Sequence, residues 1–178
     1  MTYKDVVTNT MEELSKKEEV VFLGQGLVTG DRVYGTLEKV PTNKCLEMPC
    51  AENLHVGVAI GLALRGFRPI VIFQRMDFIL LAADAIINHL ALLPKMSGGQ
   101  FKLPVILRAI VGPQDTEKFI VGPQHNKDFS ELFMPYMAVH QFRRGMDISS
   151  AYDIEYKEEE PALMVEYKDC YSEEIKNA

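Results

Sequence analysis

The chain has 178 residues, of which 47% are hydrophobic and 25% charged, and its formal net charge is −6. That length suits one domain burying about 70% of the surface its unfolded chain exposes, and the composition is globular rather than disordered. A negative balance with one adjacent arginine pair, Arg143-Arg144 (expected on an exposed surface), argues against nucleic acid, whose phosphates need clustered cations.

Val6, Val7, Met11 and Leu14 fall on one side of a helix over 1–14. The charged turn Lys16-Lys17-Glu18-Glu19 leads into a short buried strand, Val20-Val21-Phe22-Leu23, ending at Gly24-Gln25-Gly26. The polar stretch 29–43 predicts a long loop with at most one helical turn. Glu52 opens a helix that runs to Arg65 and stops at Gly66. Pro69 to Phe73 is the next strand, too continuously apolar to have a wet face. A helix is expected over 76–93, closed by Pro94 and followed by the loop Ser97-Gly98-Gly99. A strand over 104–110, a loop over 112–125 with two Gly-Pro steps and a short helix over 128–133 come next. A strand over 138–142, a helix over 148–157 and a last strand over 162–167 precede a polar tail.

Strands alternating with helices predict an α/β fold: a mostly parallel, doubly wound sheet with helices on both faces, in one domain over 1–178. Ligands of such sheets sit beyond the carboxyl ends of the strands. Gly24-Gln25-Gly26, residues 74–78 and residues 112–125 all follow strands and are expected along one rim.

Within that frame Glu52 stands out, a carboxylate opening an apolar helix rich in Gly57, Gly61 and Ala63. Small residues let a helix approach its neighbours closely, so this helix is expected to be packed on several sides. Partial desolvation there favours the protonated acid, whereas the helix N-terminus favours the charged form. On composition alone Glu52 is a first-turn charge, Asp77 a helix N-cap and Phe78 a core residue. His125 lies in a polar loop, a better place for proton work than an apolar face. His55, His89 and His140 fall within elements and are expected to be structural. Arg108, on a strand, suits either an anion or a neighbouring acid.

Several arrangements are absent: the Gly-x-Ser-x-Gly elbow, a Walker loop and a Cys-x-x-Cys pair. Gly24-Gln25-Gly26 lacks the third glycine of a dinucleotide fingerprint. Cys45, Cys50 and Cys170 have no metal-ligand spacing, and no secretory signal is seen at Met1-Thr2-Tyr3-Lys4, so a cytoplasmic setting is expected. The longest apolar run, 78–93, is interrupted by Asp84, Asn88 and His89, so no membrane association is expected.

In order and spacing, these segments together resemble the pyrimidine-binding domain of the transketolase and 2-oxoacid dehydrogenase superfamily. The likeness is greatest to the N-terminal half of the beta subunit of the decarboxylating component. It is carried by Val21-Phe22-Leu23-Gly24-Gln25-Gly26, by Glu52 with Gly57-Val58-Ala59-Ile60-Gly61, and by Gly66-Phe67-Arg68-Pro69-Ile70-Val71. It continues through Gln74, Asp77-Phe78, Asp84-Ala85-Ile86-Ile87-Asn88, Ser97-Gly98-Gly99-Gln100-Phe101, Gln124-His125 and Glu160 to Tyr167.

The resemblance implies thiamine diphosphate as cofactor and gives Glu52 the place of the family's activating glutamate. A protonated carboxyl on the pyrimidine nitrogen opposite the amino group favours the imino form, which can take the thiazolium proton. Phe78 takes the place of an aromatic against the pyrimidine face, Gln74 and Gln25 lie at its edge, and His125 matches a histidine facing the substrate. Catalytic Glu52 and His125, and cofactor-binding Glu52, Phe78, Gln74 and Gln25, are the expected site.

Two departures bear on substrate handling. Gln25 stands where the family usually has an acid, and His125-Asn126-Lys127 replaces His-Ser-Gln. Thr29-Gly30-Asp31 lacks the second glycine of the Gly-Asp-Gly motif that holds diphosphate and magnesium. No metal ligands are therefore expected here. A diphosphate-binding partner subunit would carry Mg2+, and two copies of each chain would form a heterotetramer. The family's C-terminal domain is also expected to be missing. The resemblance implies a 2-oxoacid or ketose substrate, decarboxylated or cleaved by two-carbon transfer. The alternatives are transketolase-type ketol transfer as the C-terminal-half subunit, or a non-catalytic stabilising or regulatory partner.

Overall fold

A computed structural model describes residues 1–113, 125–143 and 147–175. The apolar runs become six strands: β1 Val20–Gly24, β2 Cys45–Glu47, β3 Arg68–Phe73, β4 Ile106–Val111, β5 Ala138–Phe142 and β6 Ala162–Tyr167. They form one all-parallel sheet in the order β2-β1-β3-β4-β6-β5. Parallel strands need crossovers that cover both sheet faces, so interior strands are apolar on both sides. Every residue of β4 and β6 is buried.

Alternate residues feed two cores. Val71, Phe73, Leu107 and Val165 pack under helix α2 (Glu52–Leu64) and the segment 76–91. Ile70, Ile72, Ile110 and Met164 pack under α1 (Tyr3–Ser15) and α4 (Ile148–Lys157). Helix α1 begins two residues later than the expected start at Met1, because Thr2 and Asp5 close a reciprocal capping box.

Four expectations change. The helix expected over 76–93 is instead a 3-10 helix, Met76–Ala82, then a π-helix, Ala85–Ala91, then a short α3, Leu93–Met96. The two halves meet at 66°. Pro94 does not close a helix but opens α3, where its missing N–H costs nothing. Asp77 is not an N-cap, since Arg75 holds that position without a side-chain bond. The short helix expected over 128–133 is a single 3-10 turn, Ser130–Leu132.

Residues 29–43 are not merely a polar loop. Val33, Leu37 and Val40 are buried in the second core. The stretch is shaped by three consecutive non-glycine residues with positive φ: Arg32 (49°), Val33 (58°) and Tyr34 (58°). Such a left-handed turn costs roughly 1–2 kcal/mol per residue, so its side chains must be held firmly. Arg32 donates to the carbonyls of Leu27 (2.8 Å) and Val40 (2.7 Å), and Tyr34 Oη donates to the Gln74 carbonyl (3.2 Å). Strand β2, also unexpected, follows this stretch.

Arg108 meets a neighbouring acid. Its guanidinium grips Glu166 of β6 by two bonds, Nε–Oε1 2.6 Å and Nη2–Oε2 2.9 Å, with both side chains fully buried. Thr36 Oγ1 accepts from Arg108 Nη2 (2.8 Å), and the Tyr171 (2.8 Å) and Tyr152 (3.3 Å) hydroxyls donate to Glu166. Burial opposes the charged guanidinium, yet Glu166 outweighs it and holds Arg108 more firmly protonated than usual. Burial, then the Glu166 charge, push the hydroxyls of Tyr152 and Tyr171 well above their ordinary range.

Removing one partner of a buried pair strands the other. Glu166→Gln and Arg108→Met are each expected to destabilise the chain by about 3–5 kcal/mol. The apolar double variant Arg108→Met/Glu166→Leu should recover much of that loss, as measured by urea unfolding.

Candidate active site

In the strand order β2-β1-β3-β4 the chain leaves β1 in one direction and β3 in the other. Open parallel sheets leave a crevice beyond the carboxyl ends at such a divergence. Gln25 follows β1 and Gln74 follows β3, and Gln74 Nε2 donates to the Gln25 carbonyl (2.7 Å), bridging the crevice. The two glycines flanking Gln25 explain Gly24-Gln25-Gly26. A Cβ on Gly24 would strike the Ile72 carbonyl, and one on Gly26 would strike the Gln74 amide.

A recess opens there, lined by Gln25, Glu52, His55, Gln74 and Phe78 over a floor of Ile72 and Phe73. Its enclosed space is about 10 Å³, room for about one water, so this chain supplies a wall rather than a closed pocket. Glu52, half-buried, opens α2 from an N-cap residue, Ala51, that makes no side-chain bond. The 3-10 helix sets Phe78 opposite it. The His125 ring stands edge-on to Phe78, centroids 4.9 Å apart and planes at 72°. All five expected site residues are thus brought together, whereas residues 114–124 of the expected loop, including Gln124, lie outside the described residues. Arg144 of the expected surface pair also lies outside them, and Arg143 stacks on Tyr167, its guanidinium 4.0 Å from the ring centre.

His125 is held from both sides. Its φ is +61°, and its carbonyl lies so close to Gly112 that a Cβ there would run into it. Three residues on, the Asp128 carboxylate accepts from Ser130 N (3.0 Å), Ser130 Oγ (2.6 Å) and Tyr167 Oη (2.5 Å). Burial pushes the Asp128 carboxyl up, but these donors outweigh it and hold it below the usual carboxylate range. Burial, then the bond to Asp128, push the Tyr167 hydroxyl above its ordinary range.

Two further residues join the site: Glu47, which the sequence did not single out, and His55, which it marked as structural. Glu47, ending β2, accepts the backbone N–H groups of Gly26, Leu27 (2.8 Å) and Val28 (2.8 Å), fixing the loop that carries Gln25. Nothing local in the sequence signals this contact. His55 lies three residues after Glu52, a spacing that puts both on one helix face, and that spacing was the available signal. The ring is 2% exposed, and Nε2 pairs with the Pro49 carbonyl (2.7 Å). That carbonyl can only accept, so Nε2 carries a proton. Nδ1 is buried without a hydrogen-bond partner among the described residues. His140 is structural as expected, paired with Glu155 (2.7 Å). The glycine side of α2, expected to be packed, faces outward in the single chain: Gly57 and Gly61 have no atom within 4 Å of a built Cβ.

The donor set suits a flat heterocycle: an aromatic face from Phe78, amide edges from Gln25 and Gln74, and a carboxyl at Glu52. Among the described residues no group of three or more His, Cys, Asp or Glu could hold a metal ion.

Residues 1–126 match the family described as "Transketolase, pyrimidine binding domain". The beta subunit of the pyruvate dehydrogenase E1 component is 31% identical over 138 residues in Saccharomyces cerevisiae and 32% over 138 in Caenorhabditis elegans. These alignments cover 75% of this chain but 37% and 38% of the relatives, respectively. The Rickettsia bellii beta subunit is 28% identical over 160 residues, 87% of this chain and 46% of that protein. The chain therefore spans less than half the length of these curated relatives. A solved structure titled "Split gene transketolase, inactive beta4 tetramer" shares the fold, with a TM-score of 0.65 and 18% identity over 94% of this chain and 51% of that one.

Gly112→Ala is expected to push the His125 backbone away, abolishing the ring-current shift that Phe78 imposes on the imidazole protons in NMR spectra. Because the Asp128 carboxyl titrates lower folded than unfolded, its contribution is complete above about pH 5 and is lost as pH falls below about 4. Asp128→Asn should remove that acid-sensitive increment, about 2 kcal/mol for bonds to a charged group, seen as a shallower fall in thermal midpoint between pH 6 and pH 3.

Proposed function

The chain belongs to the transketolase pyrimidine-binding domain family, and we propose that it is the pyrimidine-binding subunit of a thiamine-diphosphate-dependent enzyme whose site is shared with a second chain. Its substrate would be a 2-oxoacid or a ketose, decarboxylated or cleaved by two-carbon transfer. The observation that carries this reading is the meeting of the Glu52 carboxyl and the Phe78 ring in one recess at the β1/β3 divergence. When bound, thiamine diphosphate would supply a carbon nucleophile and an electron sink for cleaving a carbon–carbon bond next to a carbonyl.

Each residue of this chain has a part that follows from its place. Glu52 would hold the pyrimidine by a hydrogen bond donated to its ring nitrogen, where the ring's tautomer depends on that proton. Phe78 offers an apolar face that fixes the ring plane and excludes water. Gln74 and Gln25, tied to each other, line the ring's edge. His125, edge-on to Phe78, sits where it can move a proton on the substrate side. The diphosphate and Mg2+ would be held by a partner subunit, for which this chain has a suitable outward surface. Leu54, Gly57, Gly61 and Leu64 of α2 are exposed beside Glu52, and an apolar helix face with glycines admits close packing of another chain. Two copies of each chain, a heterotetramer, is the assembly that follows.

The test pairs this chain with a co-expressed subunit carrying the Gly-Asp-Gly…Asn motif. Thiamine diphosphate binding by calorimetry and release of carbon dioxide or transfer of a two-carbon unit are then measured. Glu52→Gln should lower turnover by about 10²–10⁴-fold while weakening cofactor binding far less. An active pair in which Glu52→Gln matches wild type would refute the assignment. A pair that assembles and binds no cofactor would favour the non-catalytic reading.

A further inference from the structure

Behind the crevice, on the side of the sheet away from α2, two cations converge on one aromatic ring. Lys168, just beyond β6, places Nζ 3.6 Å from the centre of the Tyr34 ring. Arg75, just beyond β3, places its guanidinium 5.0 Å from the same centre and donates to Tyr34 Oη. Both side chains are half-buried, and among the described residues neither has a carboxylate within ion-pair distance. Cation–π contact offsets part of their desolvation but does not cancel like-charge repulsion. Burial and then the Arg75 charge push the Lys168 ammonium below its ordinary range, and Asp31, the nearby acid, only partly opposes this. In a chain of net charge −6, a cationic pair only partly compensated by Asp31 is out of keeping with its surroundings.

Its position and its framework both bear on ligand binding. The two cations stand at the carboxyl ends of β3 and β6, the edge of a parallel sheet that receives ligands. Tyr34 is the last non-glycine residue of the left-handed turn, and strain of that kind persists where neighbours over-determine it and clusters at ligand clamps. Tyr34 Oη also holds the carbonyl of Gln74, so the cluster is braced against the recess wall.

We propose that Arg75 and Lys168, spaced by Tyr34, form an oxyanion-binding subsite for the carboxylate or phosphate of a small-molecule ligand lying across this rim. Arg75 supplies a planar fork of donors and Lys168 a compact charge, a combination suited to an oxyanion with two or three free oxygens. The assignment does not depend on the cofactor reading and survives its failure.

The full chain, without partner or cofactor, is titrated separately with inorganic phosphate and with pyruvate at constant ionic strength. The Lys168 ε-methylene and Arg75 Nε–H signals are followed by NMR. A saturable shift is expected that sodium chloride does not reproduce. Lys168→Gln and Arg75→Gln should each weaken it at least tenfold, while Lys168→Arg largely retains it. Saturation by phosphate alone assigns a phosphate ester, by pyruvate alone a carboxylate, and by both a general oxyanion subsite. A drift matching that in chloride, or a saturable shift unchanged in both glutamine variants, overturns the proposal. Should a variant fail to fold, the shape of the wild-type titration still decides.

Discussion

A parallel strand cannot return on itself, so the chain must leave the sheet at the carboxyl end of each strand and cross back to re-enter at the amino end. Between β1 and β3 it leaves in opposite directions, which opens a gap between their carboxyl ends. Every candidate chemical group sits at that gap or on an element aimed into it. The hydrogen bond from Gln74 to the Gln25 carbonyl spans it, and the glycines on either side of Gln25 keep the backbone close enough for that bond to form. Glu52 enters from above on α2, and Phe78 from the turn after β3. The site is thus less an arrangement added to the fold than the place the winding leaves open.

The two faces of the sheet hold that gap steady by different means. Under α2 the packing is mostly apolar, with Phe73, Met76, Ile79 and Ile86 filling the space around the buried His55. The opposite face contains a buried ionic knot in which Arg108, Glu166, Thr36, Tyr152 and Tyr171 leave little polar capacity unused, although Arg108 Nη1 has no partner among the described residues. An apolar core tolerates sliding of neighbouring layers more readily than a bidentate pair does. The knot joins the 29–43 stretch, β4, β6, α4 and the tail, so the strand that leads to Lys168 is registered against the stretch that carries Tyr34.

Much of this was legible in the residues. Strands β3, β4 and β6 announce themselves as unbroken apolar runs because both of their faces are covered. Glu52 was marked by its place at the head of an apolar helix, and Phe78 by its order relative to Glu52 within a known pattern. Three features were not legible, each for a physical reason. An apolar stretch such as 76–96 reads the same whether the backbone winds with three, 3.6 or more residues per turn, so its 66° bend left no trace. Val33, Leu37 and Val40 point into the core through a left-handed turn, which breaks the spacing that right-handed helices and strands impose. The grip of Glu47 on Gly26, Leu27 and Val28 joins positions about twenty apart through space alone.

That grip changes what the edge of the sheet is for. With three residues, β2 adds little to the ladder, and Pro41 and Pro49 on either side discourage its extension. Its last side chain, however, is the tether for the loop bearing Gln25. Detaching the edge strand would barely loosen the remaining five, yet it would set free one wall of the crevice. Mechanical integrity of the sheet and readiness of the site are therefore separable, and damage to the shortest strand should silence the molecule before it unravels it.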